Sequence, residues 1–225
     1  MSYKFNQKWK AKVFSAILAA SMAFTSFIST PVTTYAAEDY GLADNIQDGV
    51  ILHCFNWKYN DIKAELQDIA EAGFTSVQTS PAQVGCNPGV WYNLYQPLGY
   101  YAGTNDLGTV DELKSLCAEA DKYGIKVVVD VIANHIASQD KSGGYALKDG
   151  VADFWKGKSE YFHNTGKEFG KDDGGDKDRS GMVNSNVGVA DVNTNNADVQ
   201  KRFYDYMEQL LADGASGFRF DTAKH

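Results

Sequence analysis

The 225-residue chain has only three cysteines, Cys54, Cys86 and Cys117. Their spacing is not that of a zinc site, and in an oxidising compartment an odd count leaves at least one thiol free or paired outside the chain. Cys54 lies in an apolar run and reads as a small buried residue. Basic charge is also scarce, with 21 Lys and Arg against 29 Asp and Glu and a formal net charge of −8. Nucleic acid and anionic membrane are therefore poor partners. Internal repeats and low-complexity tracts are missing, and so is a Gly-rich phosphate loop after the first apolar run. His53-Cys54-Phe55-Asn56-Trp57 stands there instead, against a dinucleotide-binding sheet.

What is present begins with a leader. Lys4, Lys8, Lys10 and Lys12 precede an uncharged, mostly apolar run over 13–28, and small residues follow at Thr34-Tyr35-Ala36-Ala37. That order predicts a secretory signal peptide over 1–36, cut after Ala36. The run is too short and too interrupted by Ser and Thr for a membrane anchor, so the expectation is a secreted protein with no membrane partner after cleavage. Losing four lysines and no acids takes the charge from −8 to −12. Aromatic residues make up 13% of the chain, with many Tyr and Trp outside the predicted strands. This suits a stacking surface for a neutral ligand such as a sugar, although core and rim packing accounts for most of them singly.

Periodicity gives an α/β order. The apolar run over 49–55 has strand length and predicts a strand buried on both faces. Ile62, Leu66, Ile69 and Ala70 form the stripe of a helix over 59–72, capped by Gly73, and a second strand covers 74–79. Strand, helix and strand at this spacing make a βαβ unit in a parallel sheet. An irregular stretch over 80–107, rich in Gly, Asn, Pro and aromatics, is long enough to be functional. A helix over 109–123 presents Val110, Leu113, Leu116 and Cys117, and a third strand covers 125–132. Periodicity then fails for about fifty residues, an excursion from the sheet rather than another helix. A helix over 197–211, with Val199, Phe203, Met207 and Leu210 on one face, leads into a fourth strand over 217–221. A closed eight-stranded barrel needs about 250 residues, so four strands with an inserted lobe amount to half of one.

Candidate polar residues collect where the strands end: His53 and Asn56; Gln78 and Thr79; Asp130, Asn134 and His135; then Arg219, Asp221, Lys224 and His225. In Gly217-Phe218-Arg219-Phe220-Asp221 a two-residue period puts Phe218 and Phe220 on one face and Arg219 with Asp221 on the other. An arginine beside an aspartate favours the charged carboxylate that a nucleophile needs. A buried Arg-Asp pair closing a core strand is the alternative, as a held turn with a satisfied histidine is for Asp130…Asn134-His135.

Asp130…Asn134-His135 and Gly217-Phe218-Arg219-Phe220-Asp221…Lys224-His225 are similar to the first and second signature regions of the α-amylase family of glycoside hydrolases, family 13. Trp91-Tyr92-Asn93-Leu94-Tyr95-Gln96-Pro97 resembles the aromatic substrate-binding segment of that family. The resemblance implies an α/β fold, the first half of a (β/α)8 TIM barrel with an irregular domain B after the third strand. On that reading 37–135 hold barrel strands one to three, 136–190 hold domain B, and 191–225 hold the third helix and fourth strand.

The same resemblance implies retaining endo-hydrolysis of α-1,4-glucosidic bonds in starch-type glucans, with an α-glucan as partner. Asp221 would be the nucleophile and Arg219 would orient it. His135 and Tyr95 would contact the sugar on the non-reducing side, Tyr95 by stacking. Trp91, Tyr92 and Gln96 would line neighbouring subsites, and Lys224 and His225 would reach to the reducing side. A structural Ca²⁺ would take Asn134 through its side chain, Asp191, and the main-chain carbonyl of His225. A separate calcium loop read from Asp176 offers acid, acid, Ser and Gly at positions one, three, five and six but Val187 at position twelve, where a Glu is required, so a solvated acidic loop is the favoured reading. The family's general-acid Glu and third Asp have no counterpart in this sequence, so the 225-residue chain alone is expected to be inactive. A related glucanotransferase would share every motif quoted, and a non-catalytic glucan-binding protein is the alternative from a different class.

Overall fold

The computed structural model describes residues 40–141, 144–171 and 177–225. The leader over 1–36 and residues 172–176 of the acidic loop lie outside the described residues. No helix among the described residues is long and apolar enough to cross a membrane.

Strand β1 (Ile51–Cys54) is followed by two short helices, α1 (Tyr59–Ala64) and α2 (Leu66–Glu71), where the sequence predicts one. Glu65 leaves the helical region, at φ −99° and ψ 2°, and breaks the run. The apolar stripe nevertheless survives the break, because Ile62, Leu66, Ile69 and Ala70 are all buried. Gly73 then adopts φ +84°, the left-handed conformation that ends a helix and that only glycine takes without steric penalty. Strand β2 (Ser76–Thr79) follows.

The stretch over 80–107, predicted as irregular, contains an antiparallel pair, β3 (Gln83–Gly85) with β4 (Pro97–Ala102). Its length hid the pairing, since the two strands are separated by eleven residues of turn that include a 3₁₀ segment, Asn93–Tyr95. Helix α3 (Val110–Lys122) starts at a reciprocal cap: Glu112 N–H donates to Thr109 Oγ1, and Thr109 N–H to a Glu112 carboxylate oxygen. Such a cap is worth about 1 kcal/mol.

Strand β5 (Lys126–Val131) is buried along nearly its whole length. The lobe after it holds β6 (His135–Ile136), the hairpin β7 (Ser138–Lys141) and β8 (Gly144–Leu147), the short helix α4 (Arg179–Asn184) and β9 (Ala190–Asp191). Trp155 fills its centre, edge-on to Tyr100 at 4.9 Å and to Phe154 at 5.0 Å. Helix α5 (Ala197–Ala212) is capped by Asn196, whose side chain accepts from Asp198 and Val199 N–H. It buries Val199, Tyr206 and Leu210; the predicted Met207 lies at the margin, one position off the stripe. Strand β10 (Gly217–Phe220) closes the order.

The main sheet is parallel, in the order β1-β2-β5-β10. This is the first half of a (β/α)8 barrel. Registers His53↔Gln78, Gln78↔Val128 and Val128↔Gly217 mark one face, and Arg219↔Asp130 lie two residues further along it. Two expectations are corrected here. Strand β1 is not buried on both faces: it stands at the margin of the four described strands, and Ile51 is 42% exposed. Thr79 does not join the polar group, because its register partners are Cys54 and Val129, which face the helices.

Candidate active site

The strand C-termini deliver the site. Asp130 and Arg219 are register partners in adjacent parallel strands, so their side chains emerge side by side. Arg219 Nη1 donates to both Asp130 oxygens, at 3.1 and 3.0 Å, and to Asp221 Oδ1 at 2.6 Å. Asp221 continues the ladder through its N–H to the Val131 carbonyl, after which Thr222 turns the chain at φ +50°. A β-branched residue in that region is strained, and the strain sits beside the Arg-Asp pair, where such turns collect in functional sites.

Asp130 is almost fully enclosed, with its side chain 1% exposed. Burial pushes its carboxyl up to about 6, against the Arg219 and Tyr95 hydrogen bonds that pull it down. Tyr95 Oη donates to Asp130 Oδ2 at 3.0 Å. The Tyr95 carbonyl takes a 2.8 Å bond from His135 Nε2, which fixes the proton on Nε2 and leaves Nδ1 facing Asn134. His135 is 4% exposed, and burial lowers its pKa so that it stays neutral.

The aromatic segment is held from β1. Asn56, itself at φ +57°, donates its amide to the Trp91 carbonyl at 2.8 Å, and its N–H goes to Ser80 Oγ. Trp91 is 69% exposed and Tyr92 37%, while the Gln96 amide oxygen meets Cys86 Sγ at 3.3 Å. Phe55 stacks on Tyr95 with centroids 6.1 Å apart and planes inclined by 27°, and its centroid lies 6.3 Å from that of Trp91. Sequence reasoning passed over Phe55, though it shares the face of His53 and Arg219 by the two-residue period. All three cysteines are free, and burial raises each thiol, Cys54 to about 11 and Cys117 to about 12.

A cavity of about 340 Å³ opens beside the pair, lined in part by Asn134, Thr194, Asp221, Thr222 and His225. Asp191 reaches Asn134 through the pairing of β6 with β9, in which His135 faces Asp191. Asp191 is 2% exposed, and burial pushes its carboxyl up to about 6 despite hydrogen bonds from His163, at 2.5 Å, and Asn134. An enclosed carboxylate with one imidazole and one amide for company is the donor a cation would neutralise. The Asn134 side-chain oxygen and the His225 main-chain carbonyl are oxygen donors of the kind calcium takes, and both residues line the cavity. The His225 ring is engaged elsewhere, by the Met182 carbonyl at 2.7 Å. Among the described residues no three His, Cys, Asp or Glu side chains gather around one point. His163 carried no signal in the sequence, because its partner lies 28 residues away across an aperiodic lobe.

Half of a (β/α)8 barrel with an Arg-held carboxylate at its strand C-termini defines a class of enzyme scaffold, and comparison with known proteins narrows it. The family model described as the alpha-amylase catalytic domain matches residues 56–225. An alpha-amylase of Clostridium acetobutylicum is 40% identical over 198 residues, 86% of this chain and 25% of that protein. One of Butyrivibrio fibrisolvens is 39% identical over 193 residues, 81% of this chain and 19% of that protein. Among solved structures, alpha-amylase I of Eisenia fetida superposes with a TM-score of 0.65 at 23% identity, over 79% of this chain and 38% of that one. The Geobacillus thermoleovorans alpha-amylase complexed with acarbose gives 0.66 at 23%, over 80% of this chain and 41% of that one. The chain belongs to the alpha-amylase family. It spans a quarter or less of the first two relatives.

Proposed function

We propose that this chain supplies the nucleophile, non-reducing-side subsites and cation site of a secreted, retaining α-amylase that cuts internal α-1,4-glucosidic bonds of starch-type glucans. The observation that carries the reading is the single Arg219 nitrogen that holds Asp221 at the mouth of the cavity. In the proposed step an Asp221 oxygen bonds to the anomeric carbon as the bond to the leaving oxygen breaks. A general acid passes its proton to that oxygen, and water later releases the sugar. Asp130 cannot be that acid, because both of its oxygens are occupied by Arg219 and one also by Tyr95. Retaining chemistry needs a second carboxyl group about 5–5.5 Å from the first. The 225-residue chain alone is therefore expected to release no reducing sugar.

Trp91, Tyr92, Tyr95, Gln96 and His135 would line the sugar subsites, His135 also bonding the Tyr95 main-chain carbonyl through Nε2. Lys224 and His225 would extend to the reducing side. Asn134, Asp191 and the His225 carbonyl would hold a Ca²⁺, which when bound supplies charge neutralisation and ties the lobe to the barrel. The apolar leader over 13–28 supports export. The test is to assay the complete gene product containing this chain on starch, beside its Asp221→Asn variant. Reducing-sugar release with retained anomeric configuration, lost in the variant, supports the reading. Starch binding without release by the complete product overturns it in favour of a glucan-binding protein.

A further inference from the structure

The lobe reaches the strand-end site through one side chain that no motif covers. Phe169 meets the His225 ring edge-to-face, with centroids 4.4 Å apart, and Lys224 Nζ lies 4.9 Å from the centre of the Phe169 ring. The two residues that follow the candidate nucleophile at the far side of the turn therefore rest on the same ring. Phe169 is itself fixed. Its N–H donates to the Asn186 carbonyl at 2.8 Å, and the neighbouring Glu168 carboxylate accepts from Gly188 N–H.

Asn186 is the hub behind it. Its N–H and side-chain amide both donate to the Lys167 carbonyl, at 2.9 and 3.0 Å, and its side-chain oxygen accepts from Asp191 N–H at 3.1 Å. The residue is 7% exposed, and every polar group on it is used. A continuous path thus runs from Asp191, through Asn186 and Phe169, to Lys224 and His225.

We infer that Phe169 is a positioning residue that holds Lys224 and His225 toward the reducing side of a bound glucan, and that Asn186 ties this support to Asp191. The inference rests on the glucan-hydrolase reading above. The cationic ammonium over the ring face and the imidazole on its edge each gain from the π system, so an aliphatic side chain of similar bulk is not equivalent.

The test uses Phe169→Leu, Phe169→Ala and Phe169→Tyr in the complete gene product, with thermal melts alongside. Substrates are long maltooligosaccharides and an aryl maltoside that carries only an aryl group on the reducing side. The Leu and Ala variants are expected to raise KM for the long substrates about two- to five-fold, with kcat changed less than about two-fold. KM for the aryl maltoside stays unchanged, and Phe169→Tyr, which keeps the ring, restores the parent value. Parent-like KM and product pattern in a folded Leu variant overturn the inference, as does an equal rise on both substrates. If Phe169→Ala fails to fold, the Leu and Tyr pair decides. A parent protein that releases no sugar removes the functional reading and this inference with it, whereas an active parent with silent variants removes the inference alone.

Discussion

One nitrogen of Arg219, Nη1, serves Asp221 at 2.6 Å and both oxygens of Asp130 at 3.0–3.1 Å. Replacing it with Met leaves the enclosed Asp130 with the Tyr95 hydroxyl as its remaining side-chain donor. Arg219→Met is expected to lower stability by about 1–3 kcal/mol, toward the low end because the arginine side chain is 44% exposed. Arg219→Lys keeps the charge but not the planar fork, and loses less. Urea unfolding of the three proteins checks the order.

Asp221→Asn keeps the shape and removes the proposed nucleophile. In the complete gene product kcat should fall by at least about 10³-fold while the melting temperature barely moves. A variant that retains more than a hundredth of parental starch hydrolysis, roughly ten times that ceiling, assigns the nucleophile elsewhere.

Asp130 sets a pH dependence with a definite sign. Burial lifts its folded pKa to about 6, above an unfolded value of about 3.9, so folding favours the protonated form. Its stabilising contribution is full below about pH 4 and is lost as pH rises to about 6. Asp130→Asn removes that titration, and its unfolding free energy should vary less than the parent's between these limits. Parallel pH profiles for the two proteins would remove Asp130 as the cause.

Trp91 is 69% exposed, so Trp91→Ala should leave the melting temperature unchanged. Loss of one stacking face should weaken retention on maltooligosaccharide by roughly five-fold, about 1 kcal/mol. Affinity electrophoresis in a starch gel separates the two effects.

Calcium should stabilise the folded chain by mass action, by about 2.7 kcal/mol at a hundred-fold excess over Kd. Chelation by EDTA should reverse the gain, and Asp191→Asn should abolish most of it. A melting temperature indifferent to calcium and EDTA removes the cation site.

The barrel strands and the helices around α3 and α5 were legible because each carries its own period and its own stop, as Gly73 does after α2. The arrangement of Arg219 and Asp221 was legible for the same local reason. Hidden was everything whose partner is distant and aperiodic. Gln83 is fully buried, donates to the Gly99 and Ile132 carbonyls and accepts from Ile132 N–H, yet nothing near it in sequence marks it as a hub. His163, Phe169 and Asn186 belong to the same class, in a lobe with no period to read. The break at Glu65 was missed because the hydrophobic stripe runs through it.

The pairing of Arg219 with Asp130 across β10 and β5 also works as an alignment key for the sheet. A slip of one residue would swing the guanidinium to the face of Val127 and Val129, both buried, and strand Asp130 without its cation. Neither charge would meet its partner there, a loss of the same order as that expected for Arg219→Met, about 1–3 kcal/mol. The pair favours the register in which the carboxylates and the arginine meet. In this chain, choosing the correct register and assembling the chemistry are a single event.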